Sequence, residues 1–143
     1  MASEAVPLVS GSAVGIALVL EEPLSFWGGF DAVTGELIDR HHPQSGEILT
    51  DRVLAMPYGR GSSSASAVLA EAIRLGTAPA AILLREPDPI VMLGAMVAQE
   101  LYGLTTPVVA IPASTYERIS TGDRVHVAVD GSIRLISEGR ELS

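Results

Sequence analysis

The sequence predicts an α/β fold, a mixed sheet with parallel central strands, flanking helices and a C-terminal antiparallel hairpin. Strand-like and helix-like runs alternate over residues 53–111, which is typical of parallel strands joined by right-handed crossovers. Two further β-like runs follow, separated by Asp130-Gly131. Hydrophobic residues make up 48% of the chain and aromatic residues only 4%, so we expect a core of closely packed aliphatic side chains.

The first part of the chain predicts one strand and one hairpin. The apolar run at residues 14–20 is expected to be a largely buried, internal strand. Residues 24–30 hold the only tryptophan and both phenylalanines, and we interpret them as aromatic side chains that fill a sheet edge. The alternative is a wall of a binding site or a subunit contact. Residues 31–38 have the turn chemistry of a hairpin, with Gly35 at the bend.

The alternating region predicts three strands and two helices. A strand over residues 53–56 precedes a helix that begins near Ser63, stops at Gly76 and places Val68, Leu69, Ala72 and Ile73 on one face. A second strand covers residues 80–84. The second helix has Asp88 as its N-cap and Pro89 at its first position, and its shared face holds Ile90, Leu93, Val97 and Leu101.

The last part of the chain predicts a third parallel strand over residues 107–111 and then the hairpin, with arms at residues 124–129 and 132–136. Residues 138–143 are expected to be a frayed tail. At 143 residues the chain fits one domain over 1–143, with a core at about 11–136.

Composition excludes several functions. Seventeen acidic and nine basic residues give a net charge of −8 with no basic cluster, which argues against nucleic acid as a partner. All nine basic residues are arginines, so the chain has no lysine for a P-loop or a Schiff base. It also has no cysteine, so any iron–sulfur cluster would have to be held by another chain. We expect a cytoplasmic protein with no membrane partner, because no apolar run is long enough to span a bilayer.

The two adjacent histidines do not predict a metal site. In an extended chain, His41 and His42 point to opposite faces and cannot easily chelate one ion, so a polar turn packed by Pro43 is the favoured interpretation. The acidic Asp88 is likewise interpreted as a helix cap and not as a catalytic group. No metal ligand is predicted in this chain.

The most informative motif is Gly59-Arg60-Gly61-Ser62-Ser63-Ser64, which we call the serine loop. It lies between a predicted strand and a predicted helix, where glycines let a ligand approach the backbone and the helix dipole favours negative charge. We expect either a bound anion, anchored in part by Arg60, or a serine that acts as a base. A hydrolase nucleophile is poorly supported, because the pattern G-x-S-x-G is absent. Serines that merely cap the helix are the structural alternative.

Ordered blocks over residues 11–136 resemble the small subunit of the aconitase X family, the stand-alone counterpart of the aconitase swivelling domain. The blocks that carry the resemblance are Ser25-Phe26-Trp27-Gly28-Gly29-Phe30-Asp31, Thr34-Gly35, Ile38-Asp39 with His42-Pro43, the serine loop, Glu71-Ala72-Ile73-Arg74, Gly76-Thr77-Ala78-Pro79-Ala80, Glu86-Pro87-Asp88-Pro89-Ile90 and Glu100-Leu101-Tyr102-Gly103.

The resemblance implies an aconitase-type swivelling domain and a hydro-lyase made of two chains. A large aconitase-like subunit would hold an iron or iron–sulfur centre, and this chain would bind no cofactor of its own. By the same resemblance Ser62 is the proton-abstracting base. From the chemistry of the loop itself, we expect Arg60, Gly61, Ser63 and Ser64 to bind substrate. Citrate-type aconitases have a carboxylate-binding arginine where this chain has Ser64.

The resemblance implies one of two small hydroxy acids as the substrate. We expect dehydration of cis-3-hydroxy-L-proline to 1-pyrroline-2-carboxylate, as in bacterial members, because the arginine-rich composition without lysine or asparagine suggests a GC-rich genome. The alternative is dehydration of 5-phosphomevalonate, as in archaeal members. An alternative of another class is a non-catalytic module that binds an anion or regulates a partner.

Overall fold

The computed structural model describes residues 5–136 and the backbone of residues 140 and 141. Its strands are β1 (Val6–Val9), β2 (Ala13–Val19), β3 (Phe30–Asp31), β4 (Glu36–Leu37), β5 (Val53–Met56), β6 (Ala81–Leu84), β7 (Val108–Ala110), β8 (Arg124–Val127), β9 (Ile133–Leu135) and β10 (Arg140–Glu141). Its helices are α1 (Phe26–Gly29), α2 (Ser64–Leu75), α3 (Pro89–Tyr102) and α4 (Ala113–Tyr116). In this part of the chain the main sheet has the order β1-β7-β6-β5-β2-β8-β9-β10, and β3 and β4 form a separate hairpin.

The centre of the sheet is parallel, as predicted. β5 pairs in parallel with both β2 and β6, and β6 pairs in parallel with β7. All residues of β5, β6 and β7 are buried, which explains their continuous apolar sequences. Alternate side chains enter two cores on opposite faces: Leu54 and Ile82 pack with the helices, while Ala55 and Leu83 pack with the C-terminal strands.

Strand β2 is internal, but the prediction that it is largely buried is wrong for its first half. Val14 and Ile16 are 45% and 40% exposed. In this half the strand pairs with β8, whereas only Ala17 to Val19 pair with β5. One face of the first half therefore lies beyond the helical layer and stays open to solvent.

The C-terminal hairpin is confirmed, and the sheet continues past it. β8 and β9 pair antiparallel around Asp130 and Gly131. The predicted frayed tail is wrong at Arg140–Glu141, whose backbone pairs with β9, and the rest of 138–143 lies outside the described residues. The sequence pattern did not predict β1, a strand that pairs antiparallel with β7.

The predicted face of helix α3 is confirmed for Ile90 and Val97, which are half-buried against the core, and is wrong for its other two residues. Its buried residues are Val91, Gly94, Ala95 and Ala98. Leu93 and Leu101 are instead 45% and 66% exposed. The small residues face α2, since a Cβ on Gly94 would lie 2.8 Å from the Ser66 carbonyl oxygen. Close approach of the two helices therefore decides which face is buried, and apolarity alone does not. Within the described residues, no helix has the length and apolar character needed to cross a membrane.

Candidate active site

The candidate site lies at the carboxyl edge of the parallel strands. β5 and β6 both end at this edge, and each is followed by a loop and then by the first turn of α2 or α3. The two loops are tied together at Pro57, whose carbonyl oxygen accepts hydrogen bonds from the backbone N–H groups of Arg85 (3.1 Å) and Glu86 (3.0 Å). Ligands of open α/β sheets bind at such an edge.

The serine loop is anchored to the turn that contains α1. The backbone N–H of Arg60 donates to the Leu24 carbonyl oxygen at 3.2 Å. Gly61 has φ +119°, and a Cβ at this position would overlap the Ser25 hydroxyl oxygen. Glycine is therefore required at residue 61 both by the backbone conformation and by the space available.

The three serines of the loop are exposed and lie at the beginning of α2. Ser63 has helical backbone angles and makes no side-chain capping bond, so the capping interpretation does not hold for it. The carbonyl oxygens of Ser62 and Ser63 accept from the N–H groups of Ala65 (2.9 Å) and Ser66 (3.2 Å). Within the described residues, no hydrogen bond uses the hydroxyl groups or the backbone N–H groups of Ser62, Ser63 and Ser64, so these groups remain available to a ligand.

Arg60 brings positive charge to the same edge. Its side chain is exposed and forms no ion pair with any residue that the structure describes. It borders a small cavity whose other lining residues are Phe26, Gly61, Ala65, Asp88, Ile90 and Val91. An anionic group at the start of α2 would therefore have a guanidinium nearby.

Asp88 caps helix α3, as predicted. Its Oδ1 accepts hydrogen bonds from the backbone N–H groups of Ile90 (2.9 Å) and Val91 (3.0 Å). The positive end of the α3 dipole thus already faces a carboxylate, whereas α2 begins with neutral serines. Of the two helices that begin at this edge, α2 is therefore the one that favours an added anion.

The aromatic segment beside the loop divides into buried and exposed parts. Phe26 and Phe30 are buried and pack edge to face with their ring centroids 5.3 Å apart, consistent with the predicted filling of an edge. Trp27 is 60% exposed. The alternative interpretation as a subunit contact is therefore open only for Trp27, whereas Phe26 lines the small cavity beside Arg60.

His42 has a structural position within a turn. The ring is buried, its Nε2 lies 2.9 Å from the Glu22 carbonyl oxygen, and its Nδ1 accepts from the Gln44 backbone N–H at 3.0 Å. Both ring nitrogens are thus used within the fold. No group of three or more His, Cys, Asp or Glu in the described part of the chain could hold a metal ion. Since the sequence also lacks cysteine, these residues do not fit an iron or iron–sulfur centre.

Two contacts of the serine loop were not predicted from the sequence. Ser25 packs against Gly61, and the Asp88 carboxylate packs against Gly59. Both partners are far from the loop in sequence, and no local pattern pairs them with it. The sequence indicated only that another group packs closely against Gly59 and Gly61, because both are glycines. It did not indicate which residues these groups belong to.

Comparison with known proteins places the chain in a family. The model of the family described as the aconitase X swivel domain matches residues 3–135. A cis-3-hydroxy-L-proline dehydratase of Pseudomonas aeruginosa is 57% identical over 104 residues, which cover 73% of this chain and 18% of that protein. Another from Hypocrea jecorina is 42% identical over 86% of this chain and 20% of its own length. The chain thus spans about a fifth of the length of these two relatives.

A third relative is matched over most of its own length. The phosphomevalonate dehydratase small subunit of Methanopyrus kandleri is 41% identical over 119 residues, which cover 82% of this chain and 84% of that protein.

Among solved structures, a chain in the crystal structure of Thermococcus kodakaraensis aconitase X (holo-form) superposes with a TM-score of 0.82 at 29% identity. It covers 92% of this chain and 95% of that one. The family match over nearly the whole chain, the relatives and the shared fold show that this chain belongs to the aconitase X swivel domain family.

Proposed function

We propose that this chain is the small subunit of a hydro-lyase that dehydrates cis-3-hydroxy-L-proline to 1-pyrroline-2-carboxylate, with Ser62 as the proton-abstracting base. The observation that supports this substrate most strongly is the 57% identity to the dehydratase of Pseudomonas aeruginosa. The exposed, unbonded serines at the carboxyl edge of the sheet support the position of the base.

The position of Ser62 favours a negatively charged oxygen. A neutral serine is a weak base, so the reaction needs an environment that lowers the cost of an alkoxide. The start of α2 supplies unbonded N–H groups and the positive end of the helix dipole, and it carries no acidic residue in its first turn. Arg60 adds a positive charge to the same loop.

The atoms of the proposed reaction balance without a redox step. Ser62 takes the proton from the substrate Cα, and the C3 hydroxyl leaves as water with a second proton. The resulting enamine becomes the imine 1-pyrroline-2-carboxylate by moving a proton from nitrogen to carbon. We assign the departure of the hydroxyl to groups outside this chain.

The remaining residues of the serine loop bind the substrate carboxylate in this proposal. Arg60 contributes charge, and the backbone of Gly61 and the hydroxyl groups of Ser63 and Ser64 contribute hydrogen bonds. One hydroxyl or N–H satisfies only part of a carboxylate, so several donors must share it.

We further propose a large aconitase-like subunit as the partner. The two dehydratases are about five times longer than the part that this chain matches, so most of such an enzyme lies outside the matched region. A separate partner chain is supported by the Methanopyrus kandleri small subunit, which this chain matches over 84% of its length. Since the residues of this chain do not fit an iron or iron–sulfur centre, we place any such centre on the partner.

The alternative is a phosphomevalonate dehydratase small subunit, supported by the 41% identity to the Methanopyrus kandleri protein. To separate the two, the chain is co-expressed with a large aconitase-like chain from the same organism, and the purified complex is assayed with cis-3-hydroxy-L-proline and 5-phosphomevalonate. We expect water loss from hydroxyproline only. Turnover of 5-phosphomevalonate alone would show that the alternative function is the correct one. As a control, each chain is assayed by itself, and we expect neither to be active.

A further inference from the structure

The Asp88 carboxylate uses only one of its two oxygens to cap α3. Oδ1 accepts from both Ile90 and Val91, while Oδ2 accepts no hydrogen bond from the residues that the structure describes. Neither oxygen forms an ion pair with a described arginine or histidine. Asp88 therefore keeps one oxygen able to accept a hydrogen bond from a ligand.

Gly59 lets this carboxylate approach the serine loop closely. A Cβ at residue 59 would lie 2.7 Å from Oδ2 and 2.9 Å from Cγ of Asp88. Gly59 is not among the glycines with positive φ, so the backbone conformation does not require glycine here. Glycine is instead required because the Asp88 carboxylate takes the place of a side chain at residue 59, which puts this carboxylate beside the serine loop.

Asp88 and Arg60 border the same small cavity. The lining of this cavity thus includes one acidic and one basic residue, and neither side chain is paired with a charged group among the described residues. A ligand that carries an ammonium and a carboxylate would complement both charges, whereas a ligand with anionic groups only would be repelled by the acidic side.

We propose that Asp88 determines the class of substrate by holding the ring ammonium of a cyclic amino acid, while Arg60 and the serines hold its carboxylate. This inference rests on the proposed function and deepens it. The ring ammonium is attached to the carbon that loses the proton, so its own positive charge, held in place by Asp88, lies next to the negative charge that develops there. A phosphorylated hydroxy acid offers no cation to Asp88.

The test separates the charge of Asp88 from its capping role. Asparagine and serine are both strong N-cap residues, so Asp88→Asn and Asp88→Ser preserve α3 and remove the charge. In the complex with the large subunit, we expect the KM for cis-3-hydroxy-L-proline to rise by about 10- to 100-fold in both variants, the range for loss of a hydrogen bond between charged groups. Thermal unfolding of each variant checks that the fold is retained. Glu86→Gln, at an exposed acid two residues away, is the matched control and should leave KM unchanged.

A pair of inhibitors gives a second readout. L-Proline and cyclopentanecarboxylate have similar size and share the carboxylate, but only L-proline carries a ring ammonium. The wild-type complex should prefer L-proline, and Asp88→Asn should lose that preference. If Asp88→Asn keeps both the wild-type KM and the preference, the inference is overturned while the proposed function stands. If the wild-type complex does not dehydrate hydroxyproline, both are overturned.

Discussion

The backbone conformation of Gly61 and its contact with Ser25 determine the path of the serine loop. Its φ of +119° lies in the region that side chains with a Cβ rarely adopt, and the Ser25 hydroxyl occupies the place of a Cβ. Ser62 follows directly, so the direction in which its hydroxyl points depends on this turn. The chemistry proposed for Ser62 therefore rests on a neighbour that has no side chain.

Gly61→Ala should destabilise the chain and remove activity of the complex. We expect a loss of about 2 to 4 kcal/mol in the free energy of unfolding, from backbone strain and overlap with Ser25 together. Urea denaturation measures it. Gly46→Ala is the matched control, because Gly46 has φ +98° and a Cβ added there would meet no described atom within 4 Å. Equal losses in the two variants would show that Ser25 exerts no steric constraint.

Tyr116 carries a buried hydroxyl with no hydrogen-bond partner among the described residues. Burial raises the pKa of this phenol above its ordinary value, with Arg85, 5.7 Å from the ring centroid, acting in the opposite direction. Tyr116→Phe removes an unsatisfied polar group, so we expect unchanged stability or a gain of about 1 kcal/mol at neutral pH.

The raised pKa of Tyr116 also gives a pH dependence. Above the ordinary tyrosine pKa of 10.0 the unfolded chain loses this proton more readily than the folded chain. Wild-type stability should therefore fall as the pH rises past that value, and the fall should be smaller in Tyr116→Phe. Urea denaturation at a series of pH values measures the free energy of unfolding of both proteins. An equal fall of this free energy with pH in the two proteins would contradict the prediction.

At the level of elements, the close approach of α2 and α3 explains which predictions succeeded. The positions of both helices and of the parallel strands followed from local apolar runs, the Asp88 cap and the terminal glycines. The local sequence did not predict that Gly94 and Ala95 of α3 are buried. Both are small and only weakly apolar, and they are buried because α2 approaches closely. β1 pairs with the distant strand β7, and β10 is only two residues long, so no local pattern marked either strand.

Gly94→Ala should separate the two helices. A Cβ there would lie 2.8 Å from the Ser66 carbonyl oxygen and 3.1 Å from the Leu69 side chain. We expect a loss of about 1 to 3 kcal/mol in the free energy of unfolding, despite the better helix propensity of alanine. Met96→Ala, on the exposed face of the same helix, should cost less than about 0.5 kcal/mol. Chemical denaturation of both variants makes the comparison, and an equal cost would refute the packing argument.

For the molecule as a whole, the sheet brings together segments that are far apart in sequence. The serine loop was predictable because a strand, a glycine-rich loop and a helix follow one another along the chain. The contacts of Ser25 and Asp88 with that loop depend on the folded arrangement and were not predictable from spacing. The chain spans about a fifth of the two dehydratases, and we therefore expect it to supply one side of an active site and to be inactive alone.

The most direct test of the central claim is the rate of 1-pyrroline-2-carboxylate formation by complexes that carry Ser62→Ala or Ser12→Ala. Ser12 is an exposed serine just before β2, at the opposite edge of the sheet from the serine loop. The account predicts that Ser62→Ala lowers kcat by at least about 100-fold while the complex still forms, and that Ser12→Ala keeps the wild-type rate. A Ser62→Ala complex with a kcat close to that of the wild type would contradict it.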